Sequence, residues 1–160
     1  MRISHVPLRL ATGAYILNSG LDKRGMDRDS AAGIQGMAAN AIPRLGTMAP
    51  EQFGKAVSVG EIALGAALLT PFVSPLVAGG ALAAFSGGLL QTYRKTPGMT
   101  RDDGVRPTQD GLSLAKDVWM FATGLALVLD GLIDDAKGAA KSTKKATRKK
   151  AKAIKKALPV

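Results

Sequence analysis

IALGAALLTPFVSPLVAGGALAAFSGGLLQTY, residues 62–93, contains no Asp, Glu, Lys or Arg and carries Pro71 and Pro75 near its middle. One helix of that length would run roughly 48 Å at about 1.5 Å per residue, well beyond a hydrocarbon core of about 30 Å. Two prolines four apart would also break it. The stretch therefore predicts two apolar helices joined by a tight hairpin at Thr70-Pro71-Phe72-Val73-Ser74-Pro75. That pairing sets the fold class: an all-α, integral membrane four-helix bundle followed by a basic C-terminal tail, disordered or helical.

Upstream, Val6 to Leu21 is apolar apart from Arg9, Asn18 and small hydroxyl residues, and it ends at Asp22, Lys23 and Arg24. It is read as a first, weaker span over 6–23, with the long Arg9 side chain reaching an interface. Residues 24–54 are rich in Gly, Ala and Met and hold Pro43 and Pro50, so they form a connection. Within it Ser30 is expected to cap a short helix through Ala41. A helix start at Thr47-Pro50-Glu51 leads through Lys55 into a second span over 56–71 that carries Glu61.

The third span, 75–93, displays two interleaved rows of small residues, Gly79-Ala83-Gly87 and Gly80-Ala84-Gly88. Spacing of four brings such residues to one helix face, where backbones can approach closely, so all six are candidate helix-packing residues. Arg94 to Asp110 reads as a polar loop with Pro97, Gly98, Gly104 and Pro107. A fourth span over 114–133 follows, with Lys116 and Asp117 at its start and Trp119 suited to an interface.

Mean hydropathy of +0.10 with 46% hydrophobic and only 4% aromatic residues fits helices packed in lipid better than a soluble core. The absence of Cys excludes disulfides, thiolate nucleophiles, iron–sulfur ligation and thiolate zinc from this chain. The single histidine, His5, cannot build a multi-histidine metal or haem site. No catalytic residue, metal site or intrinsic cofactor is expected, although a quinone or lipid could occupy the bundle. Arg9 interrupts the apolar N-terminal run and no cleavage site follows it, so the first helix is expected to be retained.

After Asp135 the chain holds ten Lys or Arg and no acid, whereas the other twelve basic residues sit among all twelve acids. This 136–160 segment is a low-complexity tail that cannot bury a core. Lys144, Lys145, Arg148, Lys149 and Lys150 are candidate contacts for anionic lipid headgroups or a partner. Nucleic acid is the less favoured partner, because no aromatic residue interleaves the lysines. An even number of spans puts both termini and the 71–75 hairpin on one side, the cytoplasmic side by the slim excess of Lys and Arg there. The location is then the bacterial cytoplasmic membrane, multi-pass, with the lipid bilayer and other membrane proteins as partners.

In four antiparallel spans Asn18, Glu61, Gln91, Lys116 and Asp117 fall at similar depth. Polar groups in lipid turn toward the bundle interior and find one another, so they are expected to cluster around Glu61. Such a cluster serves either a small molecule, quinone headgroup or proton, or simply interhelical hydrogen bonding.

The run Leu8-Arg9-Leu10-Ala11-Thr12-Gly13-Ala14-Tyr15-Ile16-Leu17-Asn18-Ser19-Gly20-Leu21-Asp22-Lys23, followed by Glu61-Ile62-Ala63-Leu64-Gly65-Ala66-Ala67-Leu68-Leu69, resembles the DoxX family of small bacterial membrane proteins. The resemblance covers roughly residues 6–133 and includes a last helix entered through Lys116-Asp117. It implies a four-helix membrane protein related to subunits of thiosulfate:quinone and terminal quinol oxidoreductases. The expected role is a non-catalytic accessory or scaffold subunit of a redox or respiratory complex. The alternatives are an autonomous small-molecule or quinone-interacting protein using the Glu61 cluster, and a membrane tether working through the tail.

Overall fold

The computed structural model describes residues 5–157, with side chains for 5–147. Those residues form α1 (His5–Asp22), α2 (Arg28–Ala41), a 3-10 turn (Pro43–Thr47), α3 (Pro50–Leu69), α4 (Pro75–Lys95), the single turn α5 (Leu112–Ala115) and α6 (Val118–Ala157). The fold is all-α. Among the described residues the only β-type pairing is an isolated bridge between Thr100 and Pro107.

Local chemistry sets the helix ends. Thr70, extended as the residue before a proline must be, closes α3. Four residues on, Ser74 Oγ accepts from Val77 N (3.2 Å) and Pro75 opens α4 with a ready-made φ. Helix α3 starts at Pro50, as the Thr47-Pro50-Glu51 pattern led one to expect, and runs through Lys55 to Leu69. The cap of α2 is Asp27 and not Ser30. Its carboxylate accepts from both Ser30 N and Ser30 Oγ (each 2.8 Å), which holds its pKa below the ordinary carboxylate value.

The main helices assemble as two antiparallel pairs, α1 with α3 and α4 with α6, with sparser contacts between the pairs. Small residues set the distance within each pair. A Cβ added to Gly65 would lie 2.6 Å from Leu17 N, and one added to Gly79 or Gly124 would fall 2.6 Å from Leu127 Cβ or Ala83 N. Only one of the two predicted rows on α4 does this work. Gly79, Ala83 and Gly87 face α6, whereas Gly80 and Gly88 have no atom within 4 Å of an added Cβ and Ala84 is exposed. The core between the pairs comprises Ile16, Leu64, Leu68, Ala78, Leu82 and Leu127.

Arg9 also differs from the sequence expectation of an interfacial side chain. It is 1% exposed, and its guanidinium donates to four backbone carbonyls at the end of α3 and in the hairpin: Leu68 (2.7 Å), Ala67 (2.9 Å), Thr70 (2.7 Å) and Val73 (2.9 Å). The physical reason is the helix terminus itself, where the last carbonyls lack intrahelical donors and carry negative partial charge.

Polarity is distributed unusually. Buried positions include His5, Arg9, Gln35, Ser58, Glu61, Ser86, Thr92 and Asp117, while Leu10, Tyr15, Val59, Phe72, Val77, Trp119, Leu129 and Leu132 are exposed. Among the described residues one helical segment, Leu112–Thr147, is long and apolar enough to cross a membrane. The other main helices fall short of that composition, since Gly, Ala and Ser dilute their hydropathy and Lys55 and Glu61 interrupt α3. Beyond Gly131, which packs on Leu76, every described residue of α6 through Thr147 is exposed. The tail is thus the continuation of one helix that runs to Ala157.

Candidate functional site

At the end remote from the hairpin α2 packs against α3 and α4. A cavity of about 290 Å³ lies there. Three rows with near-helical spacing build its walls: Tyr15 and Ser19 on α1 with Lys23 just past its end, Phe53-Val57-Glu61 on α3 and Phe85-Leu89-Thr92 on α4. Residues three or four apart lie on one helix face, so each row turns an aromatic residue and a polar residue to the same space. Met37 of α2 and Met120 of α6 complete the apolar lining.

Glu61 is buried, and Lys23 Nζ donates to its Oε2 (2.9 Å) and to Ser19 Oγ (2.6 Å). Next to this pair Ser58 Oγ donates to Gly20 O (2.7 Å), pinning α1 to α3 at the level of the carboxylate. On the facing wall the chain breaks between α5 and α6, and the break consists of Lys116 and Asp117. Lys116 Nζ lies over the Tyr15 ring, 5.9 Å from its centroid, a cation–π contact. Asp117 is 7% exposed and lines the cavity, and its carboxylate has no hydrogen-bond partner among the described residues.

Of the five residues expected to cluster, Glu61, Lys116 and Asp117 line this one cavity. Asn18 and Gln91 do not join them. Asn18 is exposed and its Nδ2 donates to Asp22 Oδ2 (2.9 Å) one turn along α1. Gln91 is exposed on α4, and its neighbour Thr92 is buried on the cavity wall. Depth along a span was common to all five, but rotation about the helix axis was not. The residues missed by the sequence reading, Tyr15, Ser19 and Lys23, were signalled by their spacing of four.

Two surface grooves meet the cavity. One runs along the α1–α6 seam through Ala11, Thr12 and Trp119 and shares Tyr15, Lys116, Asp117 and Met120 with it. The other runs along the α3–α4 seam and shares Phe53, Val57, Glu61 and Phe85. Chemically the site offers one unpaired carboxylate, one lysine–glutamate pair and aromatic walls.

At the opposite end of the bundle, His5 Nε2 and Asp130 Oδ2 lie 2.7 Å apart, which ties the start of α1 to α6. No group of three or more His, Cys, Asp or Glu comes together among the described residues in a way that could hold a metal ion. In the tail Lys144 and Lys145 are exposed; the side chains of Arg148, Lys149 and Lys150 lie outside the described residues. Compared with known proteins, the chain matches no family model, no curated protein and no solved structure, so the reading of the site rests on its own geometry.

Proposed function

We propose that this chain is a membrane-embedded helical bundle that binds a small amphipathic molecule in the cavity between its helix pairs. The observation that carries this is Asp117, a residue 7% exposed whose carboxylate opens onto the cavity without a hydrogen-bond donor among the described residues. Its oxygens are thus open to the cavity, so a ligand that donates a hydrogen bond there gains a charge-assisted contact. The apolar walls suit a ring, and a volume near the lower end of ligand pockets suits a headgroup-sized molecule such as a quinol. The membrane setting is supported by the uncharged run of residues 62–93, the apolar exterior and the polar interior. The α1–α6 groove would then offer lateral entry from lipid.

The test is reconstitution in nanodiscs and titration with a short-chain quinol and its quinone, followed by calorimetry. Saturable quinol binding is expected, weakened about tenfold or more in Asp117→Asn, the loss of one hydrogen bond to a charged group. Absence of saturable binding, or equal binding by the Asn variant, would overturn the reading.

A second reading, the DoxX-like accessory or scaffold subunit, is favoured by one observation. The row Gly80-Ala84-Gly88 is left uncovered on α4, a surface against which a partner helix could pack. Purification in mild detergent with mass spectrometry tests it: stoichiometric oxidoreductase subunits are expected on this reading, and a lone bundle would count against it.

A further inference from the structure

We infer that the C-terminal half of α6 is a rigid cationic arm that binds double-stranded nucleic acid through its phosphates, without reading sequence. This inference goes beyond the cavity and does not depend on it. Its first support is continuity. Helix α6 is a single element from Val118 to Ala157, and its last buried residue among those described is Gly131. The remaining 26 residues extend roughly 40 Å past the bundle at about 1.5 Å per residue, along the axis on which α6 packs against α4.

The second support is the placement of charge. Lys137, Lys141, Lys144 and Lys145 are all exposed, and separations of four, seven and eight residues from Lys137 put them on one helix face. Ala139, Thr143 and Ala146 occupy the other side. No described residue forms an ion pair with any of the four lysines. The hydroxyls between them are turned to the backbone: Ser142 Oγ donates to Ala139 O (2.8 Å) and Thr143 Oγ1 to Ala139 O (3.0 Å). From Lys137 to Thr147 the helix therefore presents ammonium groups and little else. In the sequence the same spacing of basic residues continues past Thr147, and no acid follows Asp135.

An anionic bilayer is a poorer match for this geometry than a duplex. A helix that lies in a headgroup layer anchors itself with large apolar residues on its other face, and beyond Ile133 the arm includes only Ile154. A helix that leaves the bundle along the bundle's own axis also carries its lysines away from the surface that the bundle would occupy. A duplex, by contrast, has a groove that admits one α-helix and a phosphate row on either side of it, as for the basic helices that emerge from dimerisation bundles. Lysine is a point charge without the planar fork of arginine, and the arm carries nine lysines against the single Arg148 and no Asn or Gln to read base edges, which is why binding should be indifferent to sequence.

The experiment uses the full-length protein in zwitterionic nanodiscs and a fluorescein-labelled 30-base-pair DNA duplex, with anisotropy read from about 50 to 200 mM salt. Binding is expected at the low end, equal for two unrelated sequences and steeply lost with salt. Each lysine that neutralises a phosphate adds about 0.9 to the slope of log affinity against log salt. The combined variant Lys137→Gln, Lys141→Gln, Lys144→Gln, Lys145→Gln should lower the slope by about three to four and the low-salt affinity at least tenfold. Gln keeps helix propensity, and circular dichroism verifies that the arm stays helical. Lys95→Gln, an exposed cation at the far end of the bundle, should leave binding unchanged. Absence of binding at 50 mM salt, or a four-lysine variant that binds like the parent, overturns the inference. Lysine-dependent sedimentation with phosphatidylglycerol vesicles in the absence of duplex binding also overturns it and assigns the arm to the lipid surface.

Discussion

Replacing Arg9 by Met keeps a long, apolar stem in the bundle and removes the charge that closes α3. The guanidinium donates to Ala67, Leu68, Thr70 and Val73 carbonyls at 2.7–2.9 Å. Hydrogen bonds to a charged group contribute about 1.5–3 kcal/mol each when their partner is otherwise left unmade. They will not add fully. Ala67, Thr70 and Val73 are only partly buried, so water or headgroups can replace some of the lost donors, whereas Leu68 is fully buried and its carbonyl cannot be rehydrated. The variant also escapes the burial of a cation. A net loss of about 3 kcal/mol is expected, which for a chain of this size corresponds to a fall in Tm of about 6–12 °C. Thermal melts followed by circular dichroism measure it, and hydrogen exchange should rise selectively at residues 68–74. Arg9→Lys should recover less than half, because one ammonium cannot span four carbonyls spread over seven residues. A shift under about 3 °C for Arg9→Met, with unchanged exchange in the hairpin, would refute the idea that this side chain holds the α3 terminus.

Two glycines on adjacent positions of α4 should respond with opposite sign. Gly79→Ala forces a Cβ to within 2.6 Å of Leu127 Cβ and 2.7 Å of Gly124 O, so the α4–α6 pair must separate, at a cost of about 2 kcal/mol in chemical denaturation. Gly80→Ala meets nothing within 4 Å and should stabilise by about 0.5–1 kcal/mol through lower backbone freedom in the unfolded chain. In the 96–111 loop, Asp103 accepts from Val105 N and Arg106 N (each 2.9 Å) and from the Arg106 side chain, and these donors, the guanidinium first, hold its carboxyl far below the usual range. Its folded pKa is depressed, so its contribution to loop order is complete above the unfolded value of about 3.9 and is lost only as pH falls well below it. The Val105 and Arg106 amide resonances should therefore hold their positions through about pH 4 and shift only at lower pH; a midpoint at the ordinary aspartate value would contradict the hydrogen-bonded turn.

The prolines and the uncharged run made the helical hairpin legible, because a proline removes a backbone donor wherever it stands and no tertiary contact can restore it. For the same reason α4 begins at Pro75 in the structure, as the sequence led one to expect. The site was legible in depth but not in rotation. Glu61, Lys116 and Asp117 could be placed at one level of an antiparallel bundle, yet Asn18 and Gln91 occupy the same level on outward faces. A turn of 100° per residue separates Gln91 from Thr92, and which of them faces inward depends on how α4 meets α6.

The helical hairpin and the cationic character of the last turns of α6 thus follow from the chain alone, since they rest on residue types a few positions apart. What only the tertiary structure decided is which glycine row becomes an interface, that Arg9 closes a helix 59 residues away, and that the Asp117 carboxylate opens onto a cavity. Those outcomes depend on the approach and rotation of whole helices. Both are fixed by the sum of many weak contacts across the pairs, which no local pattern encodes.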